Sequence, residues 1–365
     1  MIRGEITRFV HGAVALWVFL APTGAFAVAP DHAAPPGSQG AFEQSIVVGL
    51  VTERLRIVDF GGNPIRGLGP EDLRVRVGKR EVPIVALDWV AEGAGALPAV
   101  PSGAPREAAA TDVPSIAAPD PAKGRLVVVF VQADLHPSRI SGQLRLRPYT
   151  RELLGALQVT DRVAVVSFDS HLKLWQDFSS DSVATHAAVD RAMLFSKETP
   201  VTASSPDSLA AHFPYAEARD AASPERALEL VARAMAALPG EKTVIFLGWG
   251  LGRYDGEFGV HMTPEFAPAV LALQAARAMV FVLDVTSADE HSLAVGLESV
   301  ATATGGLYFS TFRLPQVAAR ALAHTLSGYY VLTLDRGVLA ELDGKVRIDL
   351  RSRRGTVLSR PFDTR

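Results

Sequence analysis

Cysteine is absent from the 365 residues of the chain. Its absence excludes disulfide bonds, thiolate metal sites, cysteine nucleophiles and a lipid-modified N-terminal cysteine. Positive charge is not in excess either, because 36 Lys and Arg stand against 39 Asp and Glu. A chain without surplus positive charge has little with which to neutralise phosphates, so we expect no nucleic-acid partner.

Apolar runs long enough to span a bilayer are also missing. The apolar run near the N-terminus, residues 13–21, covers about nine residues, whereas a spanning helix needs roughly 20. It follows the cationic Arg3 and Arg8 and precedes Ala-Phe-Ala at 25–27, an arrangement typical of a signal peptide. We therefore expect residues 1–27 to be cleaved, leaving a soluble periplasmic or secreted protein without a membrane span.

Several known catalytic motifs are lacking as well. The sequence contains no G-x-S-x-G elbow, no H-E-x-x-H helix and no phosphate loop ending in G-K-[ST]. It does have 48% hydrophobic residues, which is enough for a sizeable core and too many for a disordered chain.

The mature chain divides by composition into four further segments. Residues 42–90 read as short strands separated by turns, and the Ala- and Pro-rich residues 91–124 read as a linker without periodicity. In 125–327, strands alternate with helices. Strands return in 328–365 without helices between them, and we expect them to pair with 42–90 as a small split β domain, because so short a β segment is rarely stable alone.

The alternating segment predicts the fold class. The continuous apolar runs LVVVFVQA (126–133) and KTVIFLG (242–248) are typical of parallel strands buried on both faces. Alternation of such strands with helices predicts an α/β fold with an open, mostly parallel, doubly wound sheet. Residues 195–222, which are polar and rich in Pro and Ser, are predicted to form a long surface loop.

The loop after the first of these strands resembles a known metal-binding loop. It reads Asp134-Leu135-His136-Pro137-Ser138, one substitution from the Asp-x-Ser-x-Ser loop of von Willebrand factor A-type (VWA) domains. The order of RVAVVSF, HLKLWQDF, KTVIFL and MVFVLDV across 125–327 also resembles that family. With the flanking β segments and GYYVLTLD, the chain is similar to bacterial exported "VWFA-related" proteins.

The resemblance implies binding rather than catalysis. In metal-competent members, Mg²⁺ or Mn²⁺ is held by hydroxyl and carboxylate oxygens, and a carboxylate of the partner completes its coordination. Asp134 and Ser138 stand at two of the expected ligand positions. Thr199 and Thr202 are equal candidates for an expected threonine.

Two departures weaken that metal site. His136 replaces a serine, and Trp249, within Gly248-Trp249-Gly250, replaces the aspartate of an expected Thr-Asp-Gly pattern. Two oxygen ligands and one negative charge are lost, so we expect metal binding to be weak or absent and His136 and Trp249 to be partner-binding residues. Alternatively, Asp134 caps the following helix, His136 bonds to backbone, and Trp249 covers the sheet.

Other functions remain open as alternatives. The run TVIFLGWGLG faintly resembles a dinucleotide-binding fingerprint, but its third glycine comes one residue early. An exported enzyme using the same crevice, dinucleotide-dependent or metal-assisted, is one alternative, and a purely structural envelope component is another. We expect a non-enzymatic protein that binds an unidentified protein partner through loops 134–138, 195–222 and 248–263 at the carboxyl edge of the sheet.

Overall fold

The computed structural model describes residues 49–92, 124–257, 259–288, 291–351, 354–362 and 364. The predicted signal peptide and residues 93–123 of the predicted linker lie outside the described residues. Within the described part of the chain, no helix combines the length and the apolar character needed to cross a bilayer.

The N-terminal described segment forms four short strands. They are β1 (Leu50–Val58), β2 (Leu73–Val77), β3 (Arg80–Val82) and β4 (Ile84–Ala91). One 3-10 turn at Pro70–Asp72 precedes β2, where the sequence predicts a helical turn. Pro83, which has no N–H to donate, separates β3 from β4, and the two strands belong to different sheets.

Strands and helices then alternate along the central segment. In chain order they are β5 (Leu126–Gln132), α1 (Pro137–Gly155), β6 (Arg162–Phe168), β7 (Leu172–Ser179), α2 (Ser182–Met193), α3 (Leu209–His212), α4 (Tyr215–Arg219), α5 (Pro224–Ala236), β8 (Lys242–Gly248), β9 (Arg253–Asp255), β10 (Gly259–His261), α6 (Phe266–Ala275), β11 (Ala278–Asp284), α7 (Ala294–Thr304), β12 (Tyr308–Ser310) and α8 (Pro315–Thr325). The last elements are β13 (Gly328–Asp335), α9 (Arg336–Ala340), β14 (Val346–Leu350) and β15 (Thr356–Ser359).

The central sheet has six strands in the order β12-β11-β8-β5-β6-β7. All neighbours are parallel except β6 and β7. Successive residues of a strand point to opposite faces of the sheet, and each face packs against helices. Phe130 and Phe246 lie in the apolar cluster on one face, and Val129 and Ile245 lie in the cluster on the other. The predicted fold class, an open and mostly parallel doubly wound sheet, is confirmed.

Antiparallel sheets combine strands from the two ends of the described chain. β1 pairs with β13 and β15, β13 pairs with β4, and β2 pairs with β14. Tyr330 on β13 is fully buried in the third apolar cluster and its hydroxyl donates to the carbonyl of Ile65. The described strands of the N- and C-terminal segments therefore share antiparallel sheets.

The segment 195–222 is more ordered than the sequence predicts. It contains α3 and α4, and the apolar Leu209 on α3 and Phe213 just after it are buried in a core cluster of the central sheet. Ser208 caps α3 by accepting from the N–H of Ala211, and the Asp177 carboxylate accepts from the N–H of Leu209 at 2.7 Å. The prediction of one long surface loop is thus wrong for its second half, since these short helices pack into the core.

A buried ion network lies at the amino edge of the central sheet. Arg125, just before β5, bonds through Nη2 to Asp161 Oδ2 at 2.6 Å and through Nη1 to Glu92 Oε2 at 3.0 Å. Burial alone would lower the pKa of the Arg125 guanidinium, but Glu92 and Asp161 more than offset it and the pKa lies above its ordinary value. Asp161 is also buried, and its Oδ2 accepts from the backbone N–H of Gln158.

Candidate functional site at the carboxyl edge of the sheet

The structure brings the residues predicted from the sequence to one edge of the central sheet. Asp134 follows β5, and Trp249 follows β8, which is the parallel neighbour of β5. His136 occupies the N-cap position of α1 and Ser138 lies in the first turn of that helix. All four residues are therefore on the carboxyl edge, where ligands of doubly wound sheets bind.

Asp134 is engaged on both carboxylate oxygens. Its Oδ1 accepts from the backbone N–H of His136 at 2.7 Å, which closes a tight turn before α1. Its Oδ2 accepts from Nη1 of Arg139 in an ion pair. Asp134 is thus not the N-cap of α1, as one interpretation of the sequence holds, but the anchor of a turn and the partner of a guanidinium.

Arg139 is the central residue of the site, and the sequence analysis does not identify it. Its Cζ lies 3.3 Å from the centroid of the Trp249 ring, so the guanidinium stacks on the indole while it bonds to Asp134. A cation held between a carboxylate and an indole face is stabilised by both. The sequence feature that could have identified Arg139 is its position in the first turn of a helix. There the helix dipole disfavours positive charge unless a partner is near.

The side chains of His136 and Ser138 contact each other rather than the carboxylate of Asp134. The His136 Nδ1 and the Ser138 Oγ are 2.8 Å apart, and both residues are exposed. The interpretation of His136 as a loop histidine bonded to backbone is incomplete, since its ring bonds to a hydroxyl and only its own N–H bonds to Asp134.

The side chains at this edge do not fit a divalent cation. The Arg139 guanidinium already holds one oxygen of Asp134, and Trp249 offers only the buried Nε1–H donor, which has no partner among the described residues. Mg²⁺ and Mn²⁺ need several oxygen ligands. Thr199 and Thr202 are both exposed, and across the described ranges no three His, Asp or Glu side chains are grouped to hold a metal.

The glycine run after β8 does not form a phosphate-binding loop. The N–H groups of Trp249 and Gly250 donate to Gln132 Oε1 at 2.9 and 3.3 Å, and that of Gly252 donates to Glu225 Oε1 at 2.6 Å. These are the donors that a pyrophosphate would require. A Cβ at Gly250 would lie 2.5 Å from Leu293, so the protein's own side chains occupy the space that this glycine leaves.

A second polar cluster at the same edge is centred on Asp284, the last residue of β11. Its Oδ2 accepts from the Tyr308 hydroxyl at 2.6 Å and lies 2.6 Å from His291 Nε2, while its Oδ1 accepts from the Thr286 N–H at 2.9 Å. Burial alone would raise the pKa of Asp284, but the hydrogen bonds from His291 and Tyr308 outweigh it and the pKa is lowered. Burial and the bond to Asp284 raise the pKa of Tyr308.

Replacing Asp284 by asparagine is expected to lower the free energy of unfolding near neutral pH by about 1–3 kcal/mol, because buried hydrogen bonds to a charged acceptor are lost. The folded-state pKa of Asp284 is below its unfolded value, so its stabilisation is present above the unfolded pKa and is lost as pH falls through the folded pKa. Urea unfolding should show wild type and Asp284→Asn converging at acidic pH. Asp207→Asn, an exposed change, should match wild type at each pH; an Asp284→Asn deficit independent of pH would contradict the assignment.

Large apolar side chains are exposed around this edge. Leu135 follows β5, Tyr254 lies in the β9–β10 hairpin after β8, and Leu314 follows β12, and their exposed fractions are 70%, 58% and 63%. Because β5, β8 and β12 are parallel, all three residues follow carboxyl ends of the same sheet. They lie at the same edge of the sheet as the Arg139–Trp249 pair and offer apolar surface that a partner could bury.

No family model matches the chain, and no curated protein matches it. The solved structures that match this chain include the PilB minor pilin from Streptococcus sanguinis. The match has 14% identity, covers 57% of this chain and has a TM-score of 0.35. The chain spans 61% of that pilin.

Two other solved structures give similar values. The conserved hypothetical protein BatB from Bacteroides thetaiotaomicron has 14% identity, coverage of 56% of this chain and 97% of that chain, and a TM-score of 0.36. The match to the human COPII-coat protein Sec24c has 11% identity and a TM-score of 0.36. It covers 66% of this chain and 43% of that chain. Matches at this level assign neither a family nor a function.

Proposed function

We propose that the protein is an exported, non-enzymatic VWA-like protein that binds a protein partner through the carboxyl edge of its central sheet without a divalent cation. The observation that carries the proposal is the Arg139 guanidinium, which lies between Asp134 and Trp249. The positive charge that the VWA resemblance assigns to a metal ion at this edge is supplied by a side chain of the protein itself.

The geometry of Arg139 suits recognition of a partner. Asp134 and the Trp249 ring fix the guanidinium, which leaves less side-chain freedom to be lost on binding. Its side chain remains 29% exposed, and a guanidinium has five N–H donors, of which Nη1 contributes the bond to Asp134. Arginine and tryptophan are enriched among residues that dominate binding energy, and Leu135 and Tyr254 supply the surrounding apolar area.

The bonding of the same edge argues against the enzymatic alternative. The N–H groups that would bind a dinucleotide are taken by Gln132 and Glu225, and one carboxylate oxygen of Asp134 is taken by Arg139. We therefore propose no cofactor for this protein. Mg²⁺ or Mn²⁺ would compete with a guanidinium already in place.

The test is affinity capture with the protein lacking residues 1–27, using the exported fraction of its native cells as the source of partners. Each capture is run with and without excess chelator. Leu135→Asp places charge in the proposed interface, and Val159→Asp is the matched control, because Val159 is 85% exposed but lies between α1 and β6 at the opposite edge.

We expect a partner that is retained by wild type and by Val159→Asp, that is lost from Leu135→Asp and that is indifferent to chelator. Direct titration of the purified partner should then show a loss in affinity of about tenfold or more for Leu135→Asp, equivalent to ~1.4 kcal/mol. Release of the partner by chelator would contradict metal independence. Equal retention by both variants would contradict the assigned edge, and enrichment of no partner would favour the structural-component alternative.

A further inference from the structure

A second candidate site lies at the opposite, amino edge of the central sheet. There a cavity of about 90 Å³ opens beside the first residue of β11, Ala278, and the C-terminal end of α6. This volume has room for several water molecules, and hence for a small polyatomic ion. Its polar lining includes Glu53, Arg277 and Arg360, and its apolar lining includes Ala278 and Phe362.

Positive charge exceeds negative charge around this cavity. Glu53 pairs with both arginines, through Oε1 to Arg277 Nη2 at 2.9 Å and through Oε2 to Arg360 Nη2 at 3.6 Å. Lys242, the largely buried first residue of β8, adds a third cation, and no carboxylate of the described ranges lies within ion-pair distance of it. Glu241 is the next carboxylate, and it is engaged by Arg54 and Arg56.

Arg360 has a donor that lacks an acceptor. Its Nε is buried and makes no hydrogen bond within the described part of the chain. Leaving a buried donor unpaired is costly, so an orphan N–H beside a cavity points to an acceptor that binds from outside the chain. Burial lowers the pKa of Arg360, and burial followed by repulsion from Arg360 and Arg277 lowers the pKa of Lys242, as expected where cations are undercompensated.

Arg277 is held in an unfavourable backbone conformation. Its φ is +55° at the position after the C-cap of α6, where glycine is the common residue. Residues other than glycine rarely adopt this left-handed region, because the Cβ then lies too close to the following carbonyl oxygen. The Arg277 side chain is 60% exposed, pairs with Glu53 and lines the cavity, so a strained backbone position here directs a long cationic side chain to the cavity.

We propose that this cavity binds a small oxyanion, a carboxylate or phosphate group, which accepts from the Nε–H of Arg360 and lies beside the Arg277 guanidinium. Guanidinium groups match such anions in geometry and in charge. Ala278 and Phe362 form an apolar wall that would contact the remainder of an organic anion. The site is separate from the carboxyl edge and does not depend on the function proposed there.

The test is calorimetric titration of benzoate and of inorganic phosphate into the protein lacking residues 1–27, in buffer without other oxyanions. The variant Arg277→Gly removes the cation and also relieves the positive φ, so it should fold with a thermal stability close to that of wild type. Arg320→Gln is the control, because Arg320 is also an exposed arginine paired with a carboxylate, Glu152.

We expect saturable binding by wild type and by Arg320→Gln, weakened about tenfold or more in Arg277→Gly, the size of a lost charge-assisted hydrogen bond. Tighter binding of benzoate would show that the apolar wall contributes, whereas tighter binding of phosphate would show that the guanidinium pair dominates; either supports the site. Absence of saturable binding of both anions to wild type would overturn the proposal. Equal binding by Arg277→Gly would do the same.

Discussion

Replacing Arg125 by methionine is expected to lower the free energy of unfolding by about 3–5 kcal/mol, the cost of leaving buried charges without their partner. Arg125 is 2% exposed, and it bonds to Asp161, to Glu92 and to the carbonyl of Leu326 at 3.1 Å. Methionine fills a similar volume and supplies no donor. The carboxylates of Asp161 and Glu92 would then remain desolvated without that cation, although Glu92 keeps its bond to Arg56.

Equilibrium unfolding in urea measures the effect. Arg320→Met is the matched control, because its ion pair with Glu152 is exposed on both sides, and such pairs contribute about 0–1 kcal/mol. The double variant Arg125→Met with Asp161→Asn should recover part of the loss, since the unpaired charge at Asp161 is removed. A loss for Arg125→Met no larger than that for Arg320→Met would refute the assigned role of the network.

The same network explains how the antiparallel strands from the two ends of the described chain are joined to the central sheet. Arg56 on β1 bonds to Glu92 at 2.9 Å, and Glu92, just after β4, bonds in turn to Arg125, just before β5. The ion pair between Glu92 and Arg125 therefore joins the two flanks of residues 93–123, which lie 33 residues apart in sequence. Because β1 also pairs with β13 and β15, this contact links the antiparallel strands to the parallel sheet.

The parts of the fold that could be predicted are those with a strong local signal. The run KTVIFLG predicts 242–248, and β8 has the same bounds, because a strand buried on both faces is apolar throughout. A glycine is a common helix stop, and Gly305 ends α7 with a positive φ of 82°. α3 and α4 are not predicted, because helices of four or five residues are too short to show helical periodicity.

The candidate site is predictable in location but not in its bonding. Residues that follow parallel strands meet at one edge, so the sequence places Asp134 and Trp249 together. It does not reveal that Arg139 joins them, because that contact depends on side-chain directions from a helix and from a distant loop. Gln132 is missed for the same reason, since its amide bonds to the loop after β8 across the sheet.

We expect the double variant Arg139→Ala, Trp249→Asp to gain the ability to bind a divalent metal ion. Arg139 contacts Asp134 on one side and the Trp249 ring on the other, so the two positions face each other across the guanidinium. Removing the guanidinium and placing a carboxylate at position 249 leaves two carboxylates around the vacated volume. Ser138 adds a hydroxyl nearby, and such an oxygen set suits Mn²⁺ or Mg²⁺.

Calorimetric titration of Mn²⁺ should show saturable binding to this double variant and none to wild type or to Arg139→Ala alone. Two unpaired carboxylates repel each other, so the double variant should unfold at a lower temperature than wild type and be stabilised by Mn²⁺. At a Mn²⁺ concentration of about ten times Kd, the gain is about 1.4 kcal/mol. A folded double variant that does not bind Mn²⁺ would contradict the interpretation that Arg139 and Trp249 keep a cation from binding between β5 and β8.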